Sequence, residues 1–209
     1  MKHRGGWMIL LLAAAALPRG LEAGDAGARP GRAWLSLGGG GGVCVPADKA
    51  VRTLYGDVSF PLHAHLSLRL AGPFGLIVGY RYLGAAGETA AVGPPVDDEG
   101  YDLRLRVHSL RAGIRLDSSL GKASIFALAG GSYNFYKESW LETEISFSGR
   151  KAGYFLGAGA EIPVLRFWDI HVRLEYALVP TGKGGGLSSE VDLGGLEAVV
   201  GLVFRFGGR

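Results

Sequence analysis

Apolar and polar residues alternate along much of the chain, and the longest unbroken case is Val58 to Leu70. Val58, Phe60, Leu62, Ala64, Leu66, Leu68 and Leu70 share one face, while Ser59, Pro61, His63, His65, Ser67 and Arg69 share the other. That period of two is the signature of an extended strand, whose successive side chains point to opposite sides. Asp169 to Leu178 repeats it, with Ile170, Val172, Leu174, Tyr176 and Leu178 opposite Asp169, His171, Arg173 and Glu175. Leu196 to Phe206 does so again, with Leu196, Ala198, Val200, Leu202, Phe204 and Phe206 opposing Glu197, Gly201 and Arg205. Beyond residue 30 no segment keeps helical spacing, which predicts an all-β protein.

Extending the reading gives eight strands, at 33–45, 57–71, 75–84, 101–116, 123–137, 144–162, 169–178 and 194–206. Their connections alternate between long (46–56, 85–100, 179–193) and short (Gly72-Pro73-Phe74, 117–122, 163–168), with 138–143 intermediate. An up-and-down barrel through a membrane has this asymmetry, because tight turns collect at one end and longer loops at the other. Pro46, Pro73, Pro94, Pro95, Pro163 and Pro180 fall in connections or at strand ends, where a missing N–H costs least. Pro61 sits near the start of its strand. Two strands change phase: Leu103, Leu105 and Val107 are followed by Leu110, Ala112 and Ile114, which predicts a β-bulge at His108 and Ser109. A similar slip is expected between Phe147 and Tyr154. The run Gly38 to Gly42 is read as strand because a closed antiparallel barrel needs an even strand count.

Alternation alone does not say which face is outside, since a soluble lipocalin-like barrel would bury its apolar face. The aromatic residues decide. With the odd strands running toward the long loops, that end of the apolar face carries Phe60, Tyr80, Tyr82, Tyr101, Tyr133, Phe135, Tyr154 and Tyr176. The opposite end carries Trp168, Phe204 and Phe206, with Phe74 in a turn. Two aromatic rings bracketing a Leu, Val and Ala band mark the two interfaces of a bilayer. The polar face then lines a narrow interior containing His63, His65, Arg69, Arg81, Arg104, Arg106, Arg111, Arg115, Glu161, Asp169, His171, Arg173, Glu175, Glu197 and Arg205. Eight strands leave a bore just wide enough for side chains, so these groups must pair instead of lining an open channel. Gly75, Gly79, Gly130, Gly157, Gly159 and Gly201 are expected to make room for the arginines.

Composition narrows the picture further. Of 209 residues, 48% are hydrophobic and 20% charged, which argues against disorder. The 36 Gly have no three-residue period, which excludes a collagen-like chain. A single cysteine, Cys44, excludes an intramolecular disulfide or a cysteine-rich metal cage. Met1 to Ala28 has the form of a cleavable export signal: Lys2, His3 and Arg4, an apolar stretch from Trp7 to Leu17, then Pro18 and small residues that allow cutting after Ala23, Ala26 or Ala28. At 11 residues that stretch is about half of a helical span. The barrel domain is expected over 29–209. Net charge is +3, of which the first 23 residues supply +2, so nucleic acid is not an expected partner.

With these features the mature chain resembles the small eight-stranded outer-membrane barrels of Gram-negative bacteria, of the OmpA, OmpX and opacity-protein type. Leu196 to Phe206 is similar to that family's C-terminal assembly signal of alternating apolar residues ending in an aromatic, here Phe206, although Gly207, Gly208 and Arg209 follow it. The resemblance implies location in a bacterial outer membrane and a monomer that contacts membrane lipid and lipopolysaccharide. It also implies handling by the barrel-assembly machinery through Leu196 to Phe206, with any extracellular partner meeting the four long-end loops.

Candidate chemistry is sparse. Some small outer-membrane barrels modify lipid A with Ser, His and an acid, and His65 and Ser67 share a strand face, but that face is the lumen. Adjacent His108 and Ser109 point to opposite faces. His63 and His65 lack a specified third metal ligand. Asp97, Asp98 and Glu99 form an acidic loop run, and neither Gly38 to Gly42 nor Gly184 to Gly186 has a phosphate-loop sequence. The expectation is a non-enzymatic barrel with no catalytic residue, cofactor or metal, its role carried by surface loops. A lipid A-modifying enzyme and an exported soluble barrel binding an apolar ligand are the alternatives.

Overall fold

Each strand pairs antiparallel with its sequence neighbour, and the first closes on the last to complete an eight-stranded barrel. The computed structural model describes residues 34–70, 72–89, 101–141, 145–181 and 191–206. Met1 to Ala28, Asp97 to Glu99, Pro94, Pro95, Gly184 to Gly186, the side chain of Tyr101 and Gly207 to Arg209 lie outside the described residues. The elements are β1 (Trp34–Pro46), α1 (Lys49–Tyr55), β2 (Leu62–Arg69), β3 (Phe74–Thr89), β4 (Tyr101–Leu120), β5 (Ala123–Trp140), β6 (Ser146–Pro163), β7 (Trp168–Leu178) and β8 (Gly195–Phe206).

All eight expected strands are present, with shifted ends. Phe74 is the first residue of β3, not part of the turn, and β3 runs on to Thr89 and β5 to Trp140, shortening the loops expected at 85–100 and 138–143. Tight turns at the terminal end use Gly72 at φ 75° and Gly121 at φ 61°, a left-handed backbone that glycine adopts without strain. The glycine run does form strand: a Cβ on Gly40 would lie 2.3 Å from the Val200 carbonyl oxygen, so β1 and β8 close the barrel at a separation only glycine permits.

Inside and outside are as the aromatic rings demand. On β2, Leu62, Ala64, Leu66 and Leu68 face out while His63, His65 and Ser67 are buried. On β7, Ile170, Val172 and Leu174 face out while Asp169, His171, Arg173 and Glu175 are buried. Exposed aromatics collect as Tyr80, Tyr133, Phe135, Tyr154 and Tyr176 toward the loop end, and as Phe74, Phe167, Trp168 and Phe206 at the turn end. Val78 is 60% exposed and Leu174 58%, a surface that water would penalise heavily and lipid does not.

The phase breaks are not bulges. Register between β3 and β4 is continuous from Phe74↔Leu116 to Thr89↔Tyr101, and that between β4 and β5 from Leu103↔Trp140 to Leu120↔Ala123. Neither a bulge at His108 and Ser109 nor a slip between Phe147 and Tyr154 exists; β5 and β6 stay in register from Ser139↔Ser146 to Ser124↔Glu161. What changes along β4 is the chemistry assigned to each face. Toward the turn end Leu110 and Ile114 point out and Arg111 and Arg115 point in; toward the loop end Leu103, Leu105 and Val107 point in and Arg104 and Arg106 point out. Arg104 and Arg106 therefore do not belong to the lumen. Past the outer aromatic ring the exterior is water, so the burial rule inverts on a strand that never leaves register.

That inversion builds a second core. Leu83, Leu103, Leu105, Val107 and Tyr136 on the wall pack with Val51 and Tyr55 of α1 and with Val179, Val191 and Leu193. Each such side chain contributes about 2 kcal/mol on leaving water. The helix α1 is absent from the strand pattern because seven residues, about two turns, carry too few apolar positions to show a period. Its ends are nevertheless marked: the Asp48 carboxylate accepts from the Ala50 N–H at 2.7 Å, and Gly56 at φ 86° ends it.

Candidate functional site

Two places hold chemistry: the lumen, and the loop-end crown formed by α1, the upper wall of β3–β6 and residues 179–181 and 191–194. In the lumen, alternate residues of β3, β4, β6, β7 and β8 bring five arginines, Arg81, Arg111, Arg115, Arg173 and Arg205, against five carboxylates, Asp117, Glu161, Asp169, Glu175 and Glu197. Glu197 pairs with Arg81, both fully buried, and lies 3.0 Å from His63 Nε2. Arg173 donates to His63 Nδ1 at 3.0 Å. A guanidinium only donates, so Nδ1 accepts and the His63 proton sits on Nε2, facing Glu197.

Arg111 pairs with Glu175, and Arg205 pairs with Asp169 and reaches Glu161 at 3.5 Å. Arg115 is held three ways: to Asp117 through Nε at 3.0 Å and Nη2 at 2.7 Å, to Glu161 at 2.6 Å, and with its guanidinium 4.0 Å over the Phe126 ring. Apolar side chains thus share the interior. Phe126, Leu128 and Phe155 form a small inward cluster, and Arg111 lies over Phe155. The lumen glycines serve these rings and the neighbouring backbone more than the arginines: a Cβ on Gly130 would meet the Ala112 oxygen at 2.2 Å and the Phe155 ring at 2.7 Å. A void among His63, His65, Arg111, Arg173 and Glu175 measures about 20 Å³, room for about one water.

Sequence-level catalytic candidates fall here or on the outer surface. His65 and Ser67 are both buried on the lumen face as expected, and the His65 ring meets the edge of His171 at 5.2 Å between centroids. A nucleophile there is walled off from lipid. Both nitrogens of His63 are engaged, by Glu197 and Arg173, which leaves none to share a metal with His65. Among the described residues no three His, Cys, Asp or Glu side chains group as metal ligands. His108 and Ser109 do face opposite ways: Ser109 is fully buried, while His108 accepts or donates at Nδ1 with the Tyr80 hydroxyl at 2.6 Å on the outer surface.

In the crown a cavity of about 110 Å³ lies between α1 and the wall, lined by Val51, Leu54, Tyr55, Leu105, Phe147 and Leu193. Its polar edge is Glu138, which accepts from the Tyr55 hydroxyl at 2.5 Å and from the Trp140 indole at 3.1 Å. Burial, reinforced by the Glu138 carboxylate, pushes the Tyr55 phenol well above its ordinary value. Asp48 also ties the crown together, its second oxygen accepting from the Asp192 N–H at 3.1 Å. None of Tyr55, Glu138 and Trp140 was a candidate by sequence, because residues 83 positions apart carry no local signal of meeting.

An apolar belt, two aromatic rings and a polar, ion-paired bore define a membrane β-barrel, and the fold is that of the small eight-stranded outer-membrane barrels. Among solved structures it is similar to OprG, an outer-membrane protein of Pseudomonas aeruginosa, at 12% identity and a TM-score of 0.60, covering 85% of this chain and 97% of that one. Neisserial surface protein A matches at 13% identity and a TM-score of 0.58, covering 84% and 99% of the two chains. A major outer-membrane protein of Thermus thermophilus matches at 14% identity and a TM-score of 0.53, over 83% and 99%. No protein-family model matches the sequence, and no curated protein does.

Proposed function

We propose that the protein is a non-enzymatic integral protein of a bacterial outer membrane, whose barrel is a closed anchor and whose crown is the surface at which it meets other molecules. One observation carries this reading. The bore is filled by buried ion pairs, whereas β3–β6 continue past the aromatic ring into a packed extension with its own apolar core. A channel would keep the bore open, and a simple anchor needs no crown. Solved barrels of this fold come from bacterial outer membranes, which supports the location. The exposed Leu, Val and Ile belt disfavours a soluble exported barrel, and the lumen position of His65 and Ser67 disfavours a lipid A-modifying enzyme. Leu196 to Phe206 is the segment through which assembly machinery would recognise it.

Cysteine accessibility tests orientation and display. The native Cys44 is 1% exposed, so background labelling is negligible. Ser148→Cys on the crown should react with a membrane-impermeant maleimide on intact cells, and Leu202→Cys in the belt should not. Labelling of Ser148→Cys only after the outer membrane is opened would place the crown on the wrong side and overturn the reading. His65→Ala and Ser67→Ala should leave the lipid A mass spectrum unchanged.

A further inference from the structure

We propose that the crown cavity between α1 and the wall binds a small primary alkylammonium ion, with its N–H groups on the Glu138 carboxylate and its alkyl chain among the apolar residues. The inference rests on the reading of the crown as the surface that meets other molecules, and gives that surface a ligand class. Glu138 is 8% exposed and stands in an apolar row: Leu105 is its direct neighbour on β4 and Phe147 on β6, with Tyr136 one row below. Val51 and Leu54 of α1 line the cavity from the other side. Among the described residues no Lys, Arg or His pairs with this carboxylate. The cations of the same strands, Arg104, Arg106, Lys137 and Arg150, are exposed on the opposite face.

A carboxylate enclosed by apolar groups is costly unless a positive charge meets it. Its present partners are neutral: the Tyr55 hydroxyl donates to Oε2 at 2.5 Å and the Trp140 indole to Oε1 at 3.1 Å. A glutamine at this position would also accept from both, so tethering α1 does not by itself call for an acid. Each carboxylate oxygen can accept about two bonds, and each has one, which leaves a place for a further donor on both. An ammonium ion brings those donors and the missing charge together. Size and lining choose among cations. The cavity measures about 110 Å³, against the roughly 150 Å³ that holds benzene, so it takes about four or five non-hydrogen atoms. A hydrated metal ion would set its water against Val51, Leu54 and Leu105, and a quaternary ammonium has no N–H for the open carboxylate positions. Propyl- or butylammonium satisfies both ends of the cavity.

The test is isothermal titration of the full barrel refolded in a neutral detergent, with n-butylammonium as the probe and sodium chloride in large excess. Wild type should bind butylammonium at least about tenfold more tightly than n-butanol, which has the chain without the charge, and than tetramethylammonium, which has the charge without N–H groups; tenfold is the lower end of what a hydrogen bond to a charged group contributes. Glu138→Gln, which keeps acceptors for both tethers, should bring butylammonium down to the level of butanol. Leu105→Trp, which fills the cavity, should abolish binding of both, and Arg166→Gln, at the turn end, should change nothing. Equal binding of butanol or of tetramethylammonium to wild type would overturn the proposal, as would an unaltered affinity in Glu138→Gln with its heat-modifiable gel mobility intact. A barrel whose Ser148→Cys variant labels on intact cells but which shows no preference for butylammonium sinks only this inference. Labelling only after the outer membrane is opened sinks the reading of the crown, whatever the probe does.

Discussion

Glu197 and Arg81 are fully buried and hold each other, and His63 orients onto the same carboxylate. Replacing only the acid leaves a guanidinium with no exit to water, so Glu197→Gln should destabilise the barrel by about 3 kcal/mol. The check is the urea midpoint of the unboiled gel band. Replacing both partners with apolar residues, as in an Arg81→Met, Glu197→Leu double variant, should recover most of that loss, because the desolvation cost disappears with the charges. Arg115→Lys keeps the charge but cannot bond Asp117 through two nitrogens and Glu161 through a third while lying flat over Phe126. It should lower the stability read from the same midpoint by about 1.5 to 3 kcal/mol, about what one hydrogen bond to a charged group contributes. At this scale the sequence was read well: the lumen charges it named on β2, β6, β7 and β8 are inward, with Arg69 and Arg205 only partly buried, 5.7 Å and 5.0 Å over the Trp34 ring.

At the scale of elements, α1 is the piece that strand periodicity could not show. Its anchor is the bond from Tyr55 to Glu138, so Tyr55→Phe should loosen the helix and leave the barrel intact. Faster amide exchange at Val51 to Tyr55, with unchanged exchange in β7 and β8, is the expected result. The pH dependence follows from the raised phenol value. In the folded protein Tyr55 keeps its proton where the unfolded chain, at its ordinary value of 10.0, loses it. The helix's docking is thus fully stabilised below pH 10 and weakens progressively above it, a trend Tyr55→Phe should abolish. Proteolysis of the α1 segment across pH 9 to 11 reads it. The strands β4 and β6 teach the complementary lesson, since the change of apolar face along each looked like an inserted residue and is a change of surroundings.

On the scale of the whole molecule, a bore filled by five arginine and five carboxylate side chains should not conduct. Planar-bilayer recordings of the refolded protein are expected to show no steps above background at 1 M KCl; regular unitary steps would mean that the network parts in a membrane. Strand number, strand order and the lipid-facing side of the belt were determined by the sequence alone, because a period of two and sorted aromatics report each residue's face locally. Tertiary structure decided three things: which lumen charges meet, that a helix packs against the loop-end wall, and where inside and outside exchange chemistry. Those depend on register between strands distant in the chain and on the height at which lipid gives way to water, and neither quantity is written in any local window of residues.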